Sequence, residues 1–182
     1  GPGGIAAWLN RVPLVLHEQN AVPGLTNKWL ANFANHVFTG FDNTFKKQTA
    51  TNVAGKYTWV GNPVRAEFCD MPLKKQLHQP INLLVVGGSL GAKVLNDTVP
   101  LAVKDLAGIT IRHQCGAGHL ASVQHTYQQA FNDDACYEIM EFIDDIPAAY
   151  EWADIVICRA GALTVAEVAA AGVPAIFVPL PH

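Results

Sequence analysis

Charge is scarce in this chain. Only 15% of its 182 residues are Asp, Glu, Lys or Arg, twelve basic against fifteen acidic, for a formal net charge of -3. No run of Lys or Arg breaks this pattern. The sequence therefore lacks the phosphate-neutralising footprint of a nucleic-acid binder, and no nucleic-acid partner is expected. Cysteine is sparse as well. Cys69, Cys115, Cys136 and Cys158 form no C-x-x-C pair and have no His at metal-ligand spacing, which suits buried thiols in a reducing compartment better than disulfides or zinc. Long apolar runs are missing too. The longest, Ala160 to Leu180, is interrupted by Thr164, Glu167, Gly172 and Pro174, so it does not read as a membrane span. The chain opens on GPGG without an initiator Met or a charged leader and stops on Pro-His after a strand-like run. We expect both ends to lie inside something longer.

What is present is an alternation. Half of the residues are hydrophobic, enough to bury a real core. Strand-like runs Pro13 to Glu18, His36 to Phe41 and Tyr57 to Asn62 flank a helical stretch from Leu25 to Ala34. Beyond a Pro- and Lys-bearing connection, INLLVVGGS has the unbroken apolar centre of a strand covered on both faces. Helices from about Gly91 to Leu106, Leu120 to Phe131 and Pro147 to Ala153 then alternate with strands Thr110 to Gln114, Tyr137 to Phe142, Asp154 to Arg159 and Pro174 to Leu180. Such alternation predicts an α/β fold of parallel sheets with right-handed crossovers. Asn-Pro in GNPVRAEF stops a strand and polarity rises, so a domain break is expected there. Residues 1-64 read as the tail of one Rossmann-like domain and 65-182 as most of a second.

Open parallel sheets bind ligands at the carboxyl ends of their strands. GGSLGA (Gly87 to Ala92) follows the buried strand and opens a helix, a place where N–H groups can approach a phosphate. The next strand ends in His113-Gln114-Cys115 where a dinucleotide fingerprint would want an acid; NAD does not fit. RAGALT (Arg159 to Thr164) follows the same logic before a helix that is small or apolar except for Glu167. Thr164 and Glu167 match a capping box. If the helix instead begins near Ala162, Glu167 lies in its second turn and can accept hydrogen bonds from a ribose diol. HEQN places His17, Glu18 and Asn20 directly after a strand. His17 or Glu18 could serve as a general base, or a strand-end His could simply bond its neighbours. At the start, GPGGIAAWLNR reads as a Gly-rich loop opening a short helix, with Ile5, Trp8 and Leu9 on one face. That face is either core or an interfacial patch.

Taken together, GPGGIAAW, LHEQNAVPGLTNKWLA, VGNPVR, LLVVGGSLGA and the run from Glu141 to His182 resemble the MurG family of bacterial glycosyltransferases, in family order and over essentially the whole chain. The resemblance implies a two-domain GT-B fold, with acceptor bound by the N-terminal domain and UDP-N-acetylglucosamine by the C-terminal one. It implies inverting, metal-independent transfer of N-acetylglucosamine to an undecaprenyl-linked muramoyl-pentapeptide, no cofactor, and a peripheral place on the cytoplasmic face of the bacterial inner membrane. Carried onto this chain, Glu167 would hold the ribose hydroxyls, and backbone groups of Ala162, Leu163 and Thr164 the diphosphate. Ile143 would meet the uracil edge, with Arg65 near the base, Ser89 near the phosphates and Asn20 facing the N-acetylglucosamine. Gly3 and Gly4 would face the acceptor pyrophosphate, and Trp8 would lie in the membrane-facing patch. The sequence contains no D-x-D motif. It departs from the family in lacking the first Gly-rich loop and the segment after His182, and in having Leu90 where many members carry Gln. We therefore expect this chain alone to have little or no transferase activity. A nucleotide-binding subunit and a UDP-sugar epimerase of the same fold are the alternatives.

Overall fold

A computed structural model of the chain describes residues 2–45, 55–72, 76–131 and 136–179. It divides into two compact units, Gly1–Pro63 and Val64–His182.

In the first unit, α1 (Pro2–Leu9), β1 (Val15–Glu18), α2 (Leu25–Leu30), β2 (His36–Thr39) and β3 (Tyr57–Trp59) follow one another. The strands form a parallel sheet in the order β1-β2-β3. Its core is small: Ala31, Ala34, Val37 and Phe45 are buried, with Leu14, Leu16 and Tyr57 packed against them. Three expectations change here. Gly3 and Gly4 belong to the first turn of α1 and not to a loop. Pro2 has no amide hydrogen to leave unsatisfied at a helix start, and a Cβ on Gly4 would sit 2.9 Å from Leu30 Cδ1, so glycine lets α1 approach α2. The face of α1 is not core either, because no residue of that helix is buried. Helix α2 stops at Leu30, short of Ala34; a tightened turn, Phe33 N–H to Leu30 O, follows.

The second unit contains α3 (Ala66–Cys69), β4 (Ile81–Val86), α4 (Lys93–Val103), β5 (Ile109–Gln114), α5 (Leu120–Ala130), β6 (Tyr137–Met140), α6 (Ile146–Trp152), β7 (Ile155–Arg159), α7 (Ala162–Ala171) and β8 (Ala175–Val178). All five strands are parallel, in the order β6-β5-β4-β7-β8. The chain winds outward from β4 in both directions, so the topological switch point lies between β4 and β7. Strand β4 shows why its sequence is uniformly apolar: Leu83 and Val85 enter a core with Leu95, Val99, Ile111, Val123 and Tyr127. Leu84, one residue out of phase, enters the opposite core with Tyr150, Val156, Cys158 and Val168. Helix α4 supplies the first core through Leu95, Val99 and Val103, one face at a spacing of four. The short helix α3 was not anticipated from sequence. The expected strand ends at Asn62 and Phe142 are not reached: β3 closes at Trp59 and β6 at Met140. Strand β8 spans Ala175–Val178, and the expected end at Leu180 lies outside the described residues. None of the four cysteines is in a disulfide among the described residues; Cys115 and Cys158 are buried, but Cys69 is exposed.

Candidate functional site

The opening of α7 decides between the two readings of Glu167. The helix begins at Ala162 with Gly161 as its N-cap in extended conformation and no side-chain cap. The capping box from Thr164 is therefore not formed, and Glu167 stands in the second turn. The first helical hydrogen bond runs from Val165 N–H to Gly161 O, so the amides of Leu163 and Thr164 precede the ladder and sit at the positive end of the helix. At the far end Gly172, at φ +66°, closes the helix in the left-handed conformation.

Glu167 has a neighbour that sequence spacing could not give. Arg65 Nη2 lies 3.8 Å from its Oε1, held by cation–π contact with Phe68 at 5.0 Å, which itself packs on Tyr150. Burial raises the Glu167 carboxyl above its ordinary value, and Arg65 pulls it partway back. Arg65, Asp144 and Asp145 line a cleft of about 630 Å³. Next to them in sequence, Ile143 packs its side chain against the core. Among the described residues none hydrogen-bonds the Ile143 backbone.

The glycine loop after β4 borders a second cleft of about 650 Å³, lined by Gly87, Gly91, Lys93, Arg159 and Val178. Ser89 is exposed on the loop, and Leu90 is 86% exposed. The loop packs directly on the turn after β5: Ala117 N–H donates to Ser89 O at 3.3 Å, and a Cβ on Gly91 would collide with the Cys115 carbonyl. Beneath it lies a buried polar chain. His113 Nε2 is 3.0 Å from Asn96 Oδ1 and His113 Nδ1 is 3.0 Å from the Tyr127 hydroxyl. Asn96 Oδ1 can only accept, so Nε2 carries the proton and Nδ1 accepts from Tyr127. Burial lowers the His113 pKa to about 4, which keeps the ring neutral.

In the first unit, the structure gives the HEQN residues different roles. The Glu18 carboxylate, 2% exposed, accepts four hydrogen bonds: from Asn20 N–H at 2.9 Å, Asn20 Nδ2 at 3.0 Å, Gly24 N–H at 3.1 Å and Asn27 Nδ2 at 2.9 Å. Burial pushes this carboxyl up, yet the donors from Asn20, Asn27 and Gly24 together outweigh it and hold the group below its ordinary value. A buried carboxylate so fully engaged is a poor proton acceptor, so its part is to fix the loop after β1. Its partner Asn20 is exposed and, with its amide committed to Glu18, presents Oδ1. His17 Nε2 donates to the Gly61 carbonyl at 3.0 Å, which leaves Nδ1 as the ring's acceptor. Trp8, 52% exposed, packs on Phe33 at 5.1 Å, and Trp29 lies on the same ring at 4.9 Å.

The structure thus groups Arg65 with Glu167 at the start of α7. Ser89 and the backbone of Ile143 lie at the ends of β4 and β6. His17 and Glu18 close β1 and Asn20 follows it, with Gly3, Gly4 and Trp8 on α1. The glycosyltransferase family 28 C-terminal domain matches residues 82–182, and the N-terminal domain of the same family matches residues 1–39. The chain belongs to glycosyltransferase family 28. Among family relatives, a UDP-N-acetylglucosamine--N-acetylmuramyl-(pentapeptide) pyrophosphoryl-undecaprenol N-acetylglucosamine transferase of Pseudoalteromonas atlantica is 56% identical over 100% of this chain and 50% of its own length. The crystal structure of Acinetobacter baumannii MurG superposes with a TM-score of 0.81 at 42% identity, again over 100% of this chain and 50% of that one. A UDP-GlcNAc 2-epimerase from Neisseria meningitidis, solved with UDP-GlcNAc, reaches a TM-score of 0.62 at 12% identity over 94% of this chain and 54% of its own, a likeness of fold. The chain spans about half the length of the curated relatives it matches. Two contributors escaped sequence reading, the Asn27 donor to Glu18 and the Gln114 side chain against the glycine loop. Each acts through a contact that only the folded chain makes.

Proposed function

We propose that this family 28 chain carries the donor-nucleotide site of a MurG-type N-acetylglucosaminyltransferase. The observation that carries the reading is the start of α7: an uncapped helix N-terminus with a single carboxylate, Glu167, one turn in and Arg65 beside it. Uncapped amides suit a diphosphate, and a carboxylate suits a ribose diol. The Ile143 backbone then reads the uracil edge, Arg65 lies near the base and Ser89 contributes a hydroxyl to the phosphates. In the reaction the acceptor hydroxyl loses its proton as its oxygen bonds to the anomeric carbon, and the bond to UDP breaks. The negative charge gathering on UDP is met by the amides of Leu163 and Thr164 and the α7 dipole. In the first unit, Asn20 offers Oδ1 to a sugar hydroxyl, and His17, through Nδ1, is the group with proton-accepting capacity. The acceptor is a lipid-linked muramoyl-pentapeptide, with Gly3 and Gly4 on the side of its pyrophosphate. Trp8 and its exposed neighbours lie against the membrane surface on the cytoplasmic side, in peripheral fashion. No helix among the described residues is long and apolar enough to cross a membrane.

Thermal unfolding with UDP-N-acetylglucosamine, UDP and NAD tests the reading. Both uridine ligands at about 100 times their dissociation constant should add about 2.7 kcal/mol, with no shift from NAD and none in Glu167→Ala. An equal shift from NAD, or a full shift in Glu167→Ala, would refute it.

A further inference from the structure

Gln114 ends β5 at the place where dinucleotide-binding folds put an acid for a ribose. Here the side chain turns back on the protein. Its Oε1 accepts from Gly88 N–H at 2.8 Å, and its Nε2 donates to Gly88 O at 2.9 Å and to Glu141 O at 2.7 Å. Only one orientation of the amide satisfies all three, because Gly88 N–H can only donate and the two carbonyls can only accept. The Gln114 side chain is 4% exposed, while Gly88 stands exposed on the loop above it. One side chain thus takes both backbone groups of Gly88, which sits at φ +83°, and ties them to the end of β6. Gly87 N–H donates to the Gln114 carbonyl at 3.0 Å, so the main chain of the same residue holds the preceding glycine.

Two consequences follow for an anion at this loop. Gly88 N–H is already spent and cannot serve as a phosphate donor. Gly91 N–H is spent as well, on Gly88 O at 2.9 Å. What the loop still offers is the stretch between them: among the described residues none accepts from the Ser89 or Leu90 N–H, and the Ser89 hydroxyl is beside them. Their direction depends on the Gly88 peptide that Gln114 holds.

We infer that Gln114 is a positioning residue that clamps the glycine loop so that the Ser89 and Leu90 amides form the loop's diphosphate contact. This rests on the nucleotide reading above for the ligand, whereas the clamp itself is a property of the protein. It also excludes a dinucleotide mode, since the carboxamide fills the place where a ribose-binding acid would stand.

The test pairs two variants with two readouts on the 182-residue chain. Gln114→Met keeps the bulk and removes all three bonds; Gln114→Glu sets a carboxylate against two carbonyls. Amide hydrogen exchange should show Gly88 protected in the wild type and fast in Gln114→Met, with β4 and β5 still protected. Calorimetric titration should show UDP weakened about tenfold in both variants and uridine, which lacks the diphosphate, changed by less than about twofold. Unchanged Gly88 protection in Gln114→Met would overturn the clamp. A freed Gly88 with undiminished UDP affinity, or equal losses for UDP and uridine, would overturn the positioning role. A wild-type chain that binds no UDP would overturn the nucleotide reading and the diphosphate contact together, and Gly88 exchange would still decide the clamp. If Gln114→Glu does not fold, Gln114→Met decides alone.

Discussion

Arg65 and Glu167 meet at 3.8 Å although 102 positions separate them in the chain. Burial raises the Glu167 carboxyl and Arg65 lowers it, so the two residues together set the pH at which the acid can accept hydrogen bonds from a diol. UDP affinity should fall as pH drops, beginning above the ordinary carboxylate range. Arg65→Ala should move that fall to still higher pH. Titration calorimetry across the acid range measures both, and a midpoint unmoved by Arg65→Ala would disprove the coupling.

Stability should depend on pH through His113. The folded ring protonates only near pH 4, against 6.5 ordinarily. Between those values the unfolded chain binds the extra proton, so stability rises with pH through the window and is lost as pH falls through it. The full effect is roughly 3 kcal/mol. Denaturant unfolding at the two ends of that window should show the difference, and His113→Gln should flatten it. A wild type with equal stability at both ends would contradict the buried, neutral ring.

The Glu18 carboxylate organises the turn after β1, so Glu18→Gln should cost about 1–3 kcal/mol, because an amide N–H would face donors that now meet an oxygen. Since the folded group is held below its ordinary value, its contribution is present above the unfolded value and lost as pH falls through the folded one. Asn27→Ala should reproduce part of the loss. Comparing the unfolding midpoints of the two variants checks this; no loss in Glu18→Gln would show that the carboxylate does not hold the loop.

Trp8 and Trp29 are both 52% exposed and both pack on Phe33. A Trp8→Gln, Trp29→Gln double variant should sediment less with phospholipid vesicles than the wild type, by about tenfold in partitioning. Unfolding midpoints should stay within about 1 kcal/mol in stability, as expected for exposed positions. Equal sedimentation would remove these rings from the membrane side.

Gly91 is at φ +74°, and a Cβ there would collide with the Cys115 carbonyl. Gly91→Ala should therefore cost about 1–3 kcal/mol and weaken UDP more than uridine, because it displaces the loop that Gln114 holds. A neutral Gly91→Ala in both thermal unfolding and titration would show that the loop has room to shift.

Much of this protein is legible in one dimension. The alternating runs announced parallel α/β sheets because hydrophobic periodicity is a local property of consecutive residues. Glu167 stood out because a lone acid in an apolar helix is visible without coordinates. What the sequence left open was decided by partners far away in the chain. Whether α7 starts at Thr164 or Ala162 depended on how Gly161 leaves β7, and whether Glu18 is a base or an anchor depended on Asn27 and Gly24 folding back onto it. Gln114 read as the absence of an acid until β4 and β6 brought Gly88 and Glu141 to its amide. Hydrogen bonds of this kind are directional and span tens of residues, so composition and spacing carry no trace of them; the sheet order that brings their ends together does.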